Sequence, residues 1–160
     1  GCYDFKFGGD QGKKNGEGIY IGTSSTQWEK NLTREQDICR WNHVYENYIN
    51  TNGNECVDVK EGSLDTIIEK NFCTGQLDAD SGGIDSRADK SIIRYNKVAS
   101  CTGAGVRLGG HKVGDVQYGI HCQVYCNQLV NNKEGGIKIM TEPHQICQND
   151  ISGEGSKVRS

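Results

Sequence analysis

A chain of 160 residues and 17.6 kDa is one domain by length, and its formal net charge of −3 at pH 7 offers no general field for nucleic acid. Aromatic residues do not interleave with basic ones as a base-stacking surface requires, and no apolar run is long enough to span a membrane. With no signal peptide either, the chain is expected to be a mature or trimmed product.

The first element in chain order is Ile19-Tyr20-Ile21, a short apolar–polar–apolar stretch. An insertion follows over 23–42, and within it Gln27 to Trp41 is the only segment expected to hold a helical turn or a capping loop. The sequon Asn31-Leu32-Thr33 lies there as a candidate glycan acceptor. Trp28 and Trp41 bracket it, either as anchors of the loop or as a sugar-stacking platform.

From Val44 onward a repeat takes over. Asn47, Asn71, Asn96, Asn127 and Asn149 are separated by 24, 25, 31 and 22 residues by subtraction. Three residues before them stand Val44, Ile68, Ile93, Val124 and Ile146, and two residues after them Ile49, Cys73, Val98, Leu129 and Ile151. A period of this size with apolar residues at fixed offsets marks stacked supersecondary units. A second register, starting at Ile19, Val57, Ile84, Val106 and Ile137, alternates apolar and polar residues, as in Val57-Asp58-Val59 and Ile137-Lys138-Ile139. Counted from the preceding asparagine, the last four start after 10, 13, 10 and 10 residues, the 13 belonging to the unit with the small insertion Gln76-Leu77-Asp78. So short an alternation predicts half-buried strands, at least two per unit, with polar corners between them.

Twenty-two glycines against a single proline suit such corners. The reading is an all-β fold, a parallel β-helix of about five coils with one inserted loop. Stacked asparagines would hydrogen-bond up the ladder, and Asn tolerates the left-handed conformation that a tight corner needs. A β-sandwich would call for two-residue hairpins and gives no reason for one asparagine per unit.

Eight cysteines, Cys2, Cys39, Cys56, Cys73, Cys101, Cys122, Cys126 and Cys147, form an even, high count without the paired spacing of a zinc site. They predict disulfides in a secreted, extracellular protein, with the connectivity open.

Function has to come from outward positions, because the inward columns pack. The middle residues of the second register give the column Tyr20, Asp58, Asp85, Arg107, Lys138. Two residues on lies Gly22, Lys60, Arg87, Gly109, Met140, and three before lies Glu17, Glu55, Gly82, Ala104, Gly135. Neighbouring strands are about 4.8 Å apart, which places Lys60 beside Arg87, Asp58 beside Asp85, and Glu55 close to both. One reading is a solvated sheet whose cross-rung charge pairs contribute roughly a few tenths of a kcal/mol each. The other is a site: two adjacent cations cost stability unless acids flank them or a lowered lysine pKa is needed. Such a site suits β-elimination on a uronic-acid polysaccharide. A cation neutralises the sugar carboxylate, a lysine of depressed pKa takes the adjacent proton, and an arginine or tyrosine assists the leaving oxygen. Asp85, Arg107 and Lys138 are candidate substrate contacts. His111, in the Gly-rich loop Leu108 to Asp115, is either a turn histidine or a sugar contact.

From about Gly16 to Gly153 the chain resembles right-handed parallel β-helix proteins of the pectate-lyase-like superfamily, best at Gly18-Ile-Tyr-Ile-Gly22, Asn54 to Ser63 and Ile67 to Asn71. Glu55-x4-Lys60, followed one coil later by Arg87, is similar to the pattern of alginate and chondroitin lyases of that superfamily. The resemblance implies that Glu55 binds calcium, that Lys60 is the base and that Arg87 assists as acid. Gly53 stands where those enzymes carry a second calcium-binding glutamate, and Glu17 or Asp58 would substitute for their asparagine as oxygen ligands. The alternative class is an extracellular structural or adhesive subunit. The end strands of a short solenoid are open edges, so a homo-oligomer or filament could form through them unless the insertion or the tail after Gly153 covers them.

Overall fold

The computed structural model describes residues 16–153 and the strands Cys2–Tyr3 and Val158–Arg159. The strands are β1 (Cys2–Tyr3), β2 (Ile19–Ile21), β3 (His43–Tyr45), β4 (Tyr48–Gly53), β5 (Val57–Val59), β6 (Ile67–Glu69) and β7 (Phe72–Gln76). There follow β8 (Gly82–Ser86), β9 (Ile92–Arg94), β10 (Lys97–Ala99), β11 (Ala104–Leu108) and the hairpin β12 (Lys112–Val113) and β13 (Val116–Gln117). The last are β14 (Gln123–Tyr125), β15 (Gln128–Val130), β16 (Ile137–Ile139), β17 (Gln145–Cys147), β18 (Asp150–Ser152) and β19 (Val158–Arg159).

Apart from the antiparallel hairpin, every pairing among these strands is parallel, and the chain visits three sheets in turn. Sheet I has the order β2-β5-β8-β11-β16-β19, sheet II β3-β6-β9-β14-β17, and sheet III β1-β4-β7-β10-β15-β18. This all-β arrangement is compatible with a β-helix solenoid. Each repeating unit thus has three strands. The residues three before and two after each asparagine lie on different sheets, with the asparagine at the corner between sheets II and III. Val44, Ile68, Ile93 and Val124 meet Ile49, Cys73, Val98 and Leu129, together with Val57, Ile84, Val106 and Ile137, in one buried core.

The asparagines do form a ladder. Nδ2 of Asn47, Asn71 and Asn96 donates to Oδ1 of the next asparagine at 3.0 Å, and that of Asn127 to Asn149 at 2.9 Å. Each receiving Oδ1 also accepts the backbone N–H of the asparagine below, at 3.0 to 3.1 Å. The second amide hydrogen of Asn71, Asn96, Asn127 and Asn149 goes to the carbonyl of Val44, Ile68, Ile93 and Val124. The left-handed conformation falls one residue earlier than expected. Glu46, Lys70, Tyr95 and Cys126 have φ of 54° and Gln148 of 53°, which frees each asparagine to aim its amide along the stack.

Helix is confined, among the described residues, to one 3-10 segment, Ser25–Lys30, inside the insertion and slightly ahead of the expected stretch. Trp28 anchors it, donating Nε1 to the Thr23 carbonyl at 2.9 Å and meeting the Tyr118 ring edge-on at 5.6 Å. Trp41 stays open, 77% exposed. No helix among the described residues is long and apolar enough to cross a membrane.

The disulfide expectation is corrected for most cysteines. The one bond among the described residues is Cys56–Cys73, and a disulfide is consistent with an extracellular protein. Cys56 shares a rung position with Gly18 and Gly83 through the sheet I hydrogen bonds. A Cβ at Gly83 would stand 2.5 Å from Val98, so this column faces inward against sheet III. Cys39, Cys101, Cys122, Cys126 and Cys147 carry free thiols. Cys101 and Cys122 occupy the core as small apolar side chains, where burial pushes their thiols up to about 12 and about 11. Cys126 donates to Gln148 Oε1 at 3.5 Å and Cys39 to Asp37 Oδ1 at 3.8 Å. The side chain of Cys2 lies outside the described residues.

Two outcomes follow for measurement. Asn96→Ala strands buried donors of Asn71 and the carbonyl of Ile68, so urea unfolding should show a loss of about 2–4 kcal/mol, against about 1 for Asn149→Ala at the end of the ladder. Thiol alkylation mapped by mass spectrometry should label Cys126 and Cys147 in the native protein, Cys101 and Cys122 only after unfolding, and Cys56 and Cys73 only after reduction.

Candidate functional site

Sheet I carries the outward columns. Its pairing sets Tyr20 beside Asp58, Asp58 beside Asp85, Asp85 beside Arg107 and Arg107 beside Lys138. The register continues past the strand ends: Lys60 N–H donates to Ile21 O and Arg87 N–H to Val59 O, which keeps Lys60 and Arg87 on adjacent rungs. At the other end Gly18 N–H donates to Glu55 O, which holds Glu17 near Glu55.

These side chains are not solvated. Glu55, Asp58, Lys60 and Asp85 are 2%, 0%, 6% and 0% exposed, so the reading of a water-covered charged sheet does not hold. Tyr20 lies under the Lys60 ammonium, with Nζ 4.8 Å from the ring centroid. Ser81 donates its hydroxyl to Glu55 Oε1 and also reaches Asp85 Oδ2 at 3.3 Å. The cluster opens into a pocket of about 210 Å³ bordered by Glu17, Glu55, Lys60, Ser81, Arg87 and Arg107. A wider cleft of about 540 Å³ shares Glu17, Lys60 and Arg87 and extends over Tyr20 to Thr23, Ser24 and Gln27 of the insertion.

The adjacent cations take different partners. Lys60 Nζ is 2.5 Å from Asp58 Oδ2. Arg107 Nη1 grips both oxygens of Asp85 at 3.0 and 2.9 Å, and Arg87 Nε stands 3.6 Å from Asp85 Oδ2. Each cation thus has its own acid partner, which offsets their mutual repulsion.

The acids remain under-satisfied. Glu55 Oε2 and Asp58 Oδ1 are buried with no hydrogen-bond partner, and Asp58 Oδ2 meets Lys60 out of hydrogen-bonding alignment. Glu17, Glu55 and Asp58 each offer an oxygen, all within 4.8 Å of one another. Burial, then the charges of Asp58 and Asp85, push Glu55 up to about 8. Burial and Asp85 likewise raise Asp58, against the pull of Lys60 and Arg87. Burial opposes the charge on Lys60, but Asp58 outweighs it and the ammonium is held above its ordinary value. The expected depressed lysine is thus corrected: in this arrangement Lys60 is protonated.

His111 stands apart. Its Nδ1 is 2.8 Å from Glu61 Oε1, its N–H donates to the same oxygen at 3.1 Å, and it borders neither the pocket nor the cleft. Glu61 Oε2 accepts the Ser25 N–H at 3.2 Å, so this buried carboxylate ties the insertion to the His111 loop. Lys138 lies one rung beyond Arg107, outside the pocket lining, and donates Nζ to Asp80 O at 3.2 Å. Asn31 donates its side-chain amide to Glu35 O at 2.8 Å. Ser81 and Glu61 escaped the sequence reading. The only available signal was the insertion Gln76 to Asp78, which lengthens the segment that delivers Ser81.

Comparison of the chain with protein-family models, with curated proteins and with solved structures returned no match. The similarity to pectate-lyase-like proteins therefore rests on the quoted residues alone.

A carboxylic acid whose pKa is raised on folding binds its proton more tightly in the native state. Its contribution is complete below the unfolded value and is lost as pH rises through the folded one. In chelator, stability should fall between about pH 4.5 and about pH 8 as Glu55 is forced to ionise. Glu55→Gln should flatten that slope in a series of thermal melts. An unchanged slope in the variant would remove Glu55 as its source.

Proposed function

We propose that the chain is a secreted, right-handed parallel β-helix of about five coils that engages acidic polysaccharide in the sheet I cleft and cleaves uronic-acid glycans by β-elimination. The right-handed sense follows the general rule for parallel crossovers. The observation that carries the functional reading is the triad Glu17, Glu55 and Asp58, its last two members buried and under-satisfied, set against Lys60, Arg87 and Arg107 beside an open cleft.

Hard oxygen donors with unpartnered buried atoms suit calcium, and Glu17, Glu55 and Asp58 would hold it. Bound there, calcium would supply the positive charge that neutralises a uronate carboxylate and acidifies the neighbouring C–H. Arg87 and Arg107 add fixed positive charge at the same opening, and Arg87 lies where it can assist the leaving oxygen. Lys60 can take that proton only after its ammonium has released its own proton to solvent, which requires that Asp58 no longer compensate its charge. Asp58 belongs both to that ion pair and to the triad, so filling the triad and freeing Lys60 are linked.

The experiment is a panel of alginate, pectate and glycosaminoglycans, with and without calcium, followed by ultraviolet absorbance of unsaturated products. Turnover of at least one uronate polymer is expected, with Lys60→Ala lowering kcat by roughly 10²- to 10⁴-fold. No product on any polymer would remove the lyase reading.

A second reading draws on the sheet edges. Among the described strands β17 and β18 are the outermost of sheets II and III at one end of the stack, and a strand edge left unpaired templates pairing with another chain. An extracellular subunit joined end to end would sediment as polymers and be indifferent to Lys60→Ala.

A further inference from the structure

The outer face of sheet II lies around the corner from the cleft and carries a groove of about 530 Å³. Its wall is built by the same repeat as the cleft. Asp65, Lys90 and His121 each take a left-handed conformation, with φ of 55°, 57° and 59°, just before β6, β9 and β14. Successive rungs therefore deliver their side chains to one edge. The neighbouring outward column runs Ile67, Ile92, Gln123, Gln145 by strand register.

Two features separate this groove from an ordinary polar surface. The side chains of Asp65, Lys90, Gln123 and Gln145 line it or its rim and make no hydrogen bond or ion pair with any described residue. An acceptor, a cationic donor and two amides that both donate and accept stand within one concavity, with half-buried Ile92 as an apolar floor. The far edge of the same face is aromatic and laced by ion pairs. His43 pairs with Glu69 at 3.0 Å, Glu69 with Arg94 at 2.6 Å, and Arg94 with the Tyr125 hydroxyl at 3.0 Å. Tyr45 and Tyr95 stand 52% exposed beside that chain.

Paired donors and acceptors around an apolar patch, flanked by exposed rings, match a pyranose, which offers hydroxyls at its rim and C–H groups on its faces. The rung spacing of about 4.8 Å is close to the advance of one sugar along an extended glycan. We propose that the outer face of sheet II is a second, non-catalytic saccharide site that holds a glycan chain running along the stack. Single-stranded nucleic acid suits it less, because Asp65 and Glu69 balance Lys90 and Arg94 and leave the face without a positive track for a phosphate backbone.

The site does not depend on the lyase reading, and the test keeps the two apart. Uniformly ¹⁵N-labelled full chain carrying Glu55→Gln and Lys60→Ala, which disable the cleft, is titrated with hexasaccharides of galacturonate, guluronate and cellulose. At least one probe should produce saturable shifts of the Gln123 and Gln145 side-chain amides and of the His121 ring. Lys90→Ala with Gln145→Ala, both at exposed positions, should weaken that binding roughly tenfold or more with the melting temperature unchanged. The proposal is overturned if no probe shifts these signals, if the Lys90/Gln145 variant binds as before, or if only an oligonucleotide binds this face.

Discussion

The ladder of asparagine amides sets everything else in this molecule. A tight corner between two parallel sheets leaves backbone donors and acceptors inside the stack, where water cannot serve them. Asn71, Asn96 and Asn127 resolve this with at least four side-chain bonds each, accepting two from the coil below through Oδ1 and donating both upward and back to a carbonyl. The geometry repeats because the residue before each asparagine turns the chain in the left-handed conformation. An error of one residue at this corner would carry the apolar columns of sheets II and III off the core, since side chains alternate between faces.

Once the register is set, the outer face of sheet I follows from it. Residues 27 apart, such as Lys60 and Arg87, become neighbours because β5 and β8 pair without slippage. Alternation turns Asp58 and Asp85 outward, and the surrounding loops then cover them. The result is a local electrostatic imbalance inside a satisfied scaffold. The ladder leaves none of its amides unpaired, whereas Glu55 and Asp58 keep buried oxygens without partners. Buried carboxylates in that condition ionise with difficulty and favour whatever brings positive charge to them.

Periodicity in the chain reports inward packing well and outward cover poorly. The columns around Asn47 to Asn149 and from Ile19 to Ile137 read directly as core, and their register placed Glu55, Asp58, Lys60, Asp85, Arg87 and Arg107 together. The third strand of each unit is hidden in the sequence because only two corner residues separate sheets II and III, so two strands look like one apolar frame. The charged state of Lys60 is not legible in the spacing, because its pairing with Asp58, two residues away on the same face, depends on burial that spacing does not reveal. The cysteines misled for a similar reason. An inward thiol and an inward disulfide partner occupy the same kind of position, and only the close approach of sheets I and III at Cys56 distinguishes them. Ser81 and Glu61 come from loops, where no repeat announces them.

The stack's register brings Glu17, Glu55 and Asp58 together as an acidic centre, which we propose holds a cation. Isothermal titration of calcium into the chelator-treated full chain, beside the Glu55→Gln variant, tests it most directly. Saturable uptake of one ion per chain, accompanied by proton release, is expected, together with its loss in the variant. Absence of uptake, or uptake indifferent to Glu55, would contradict it.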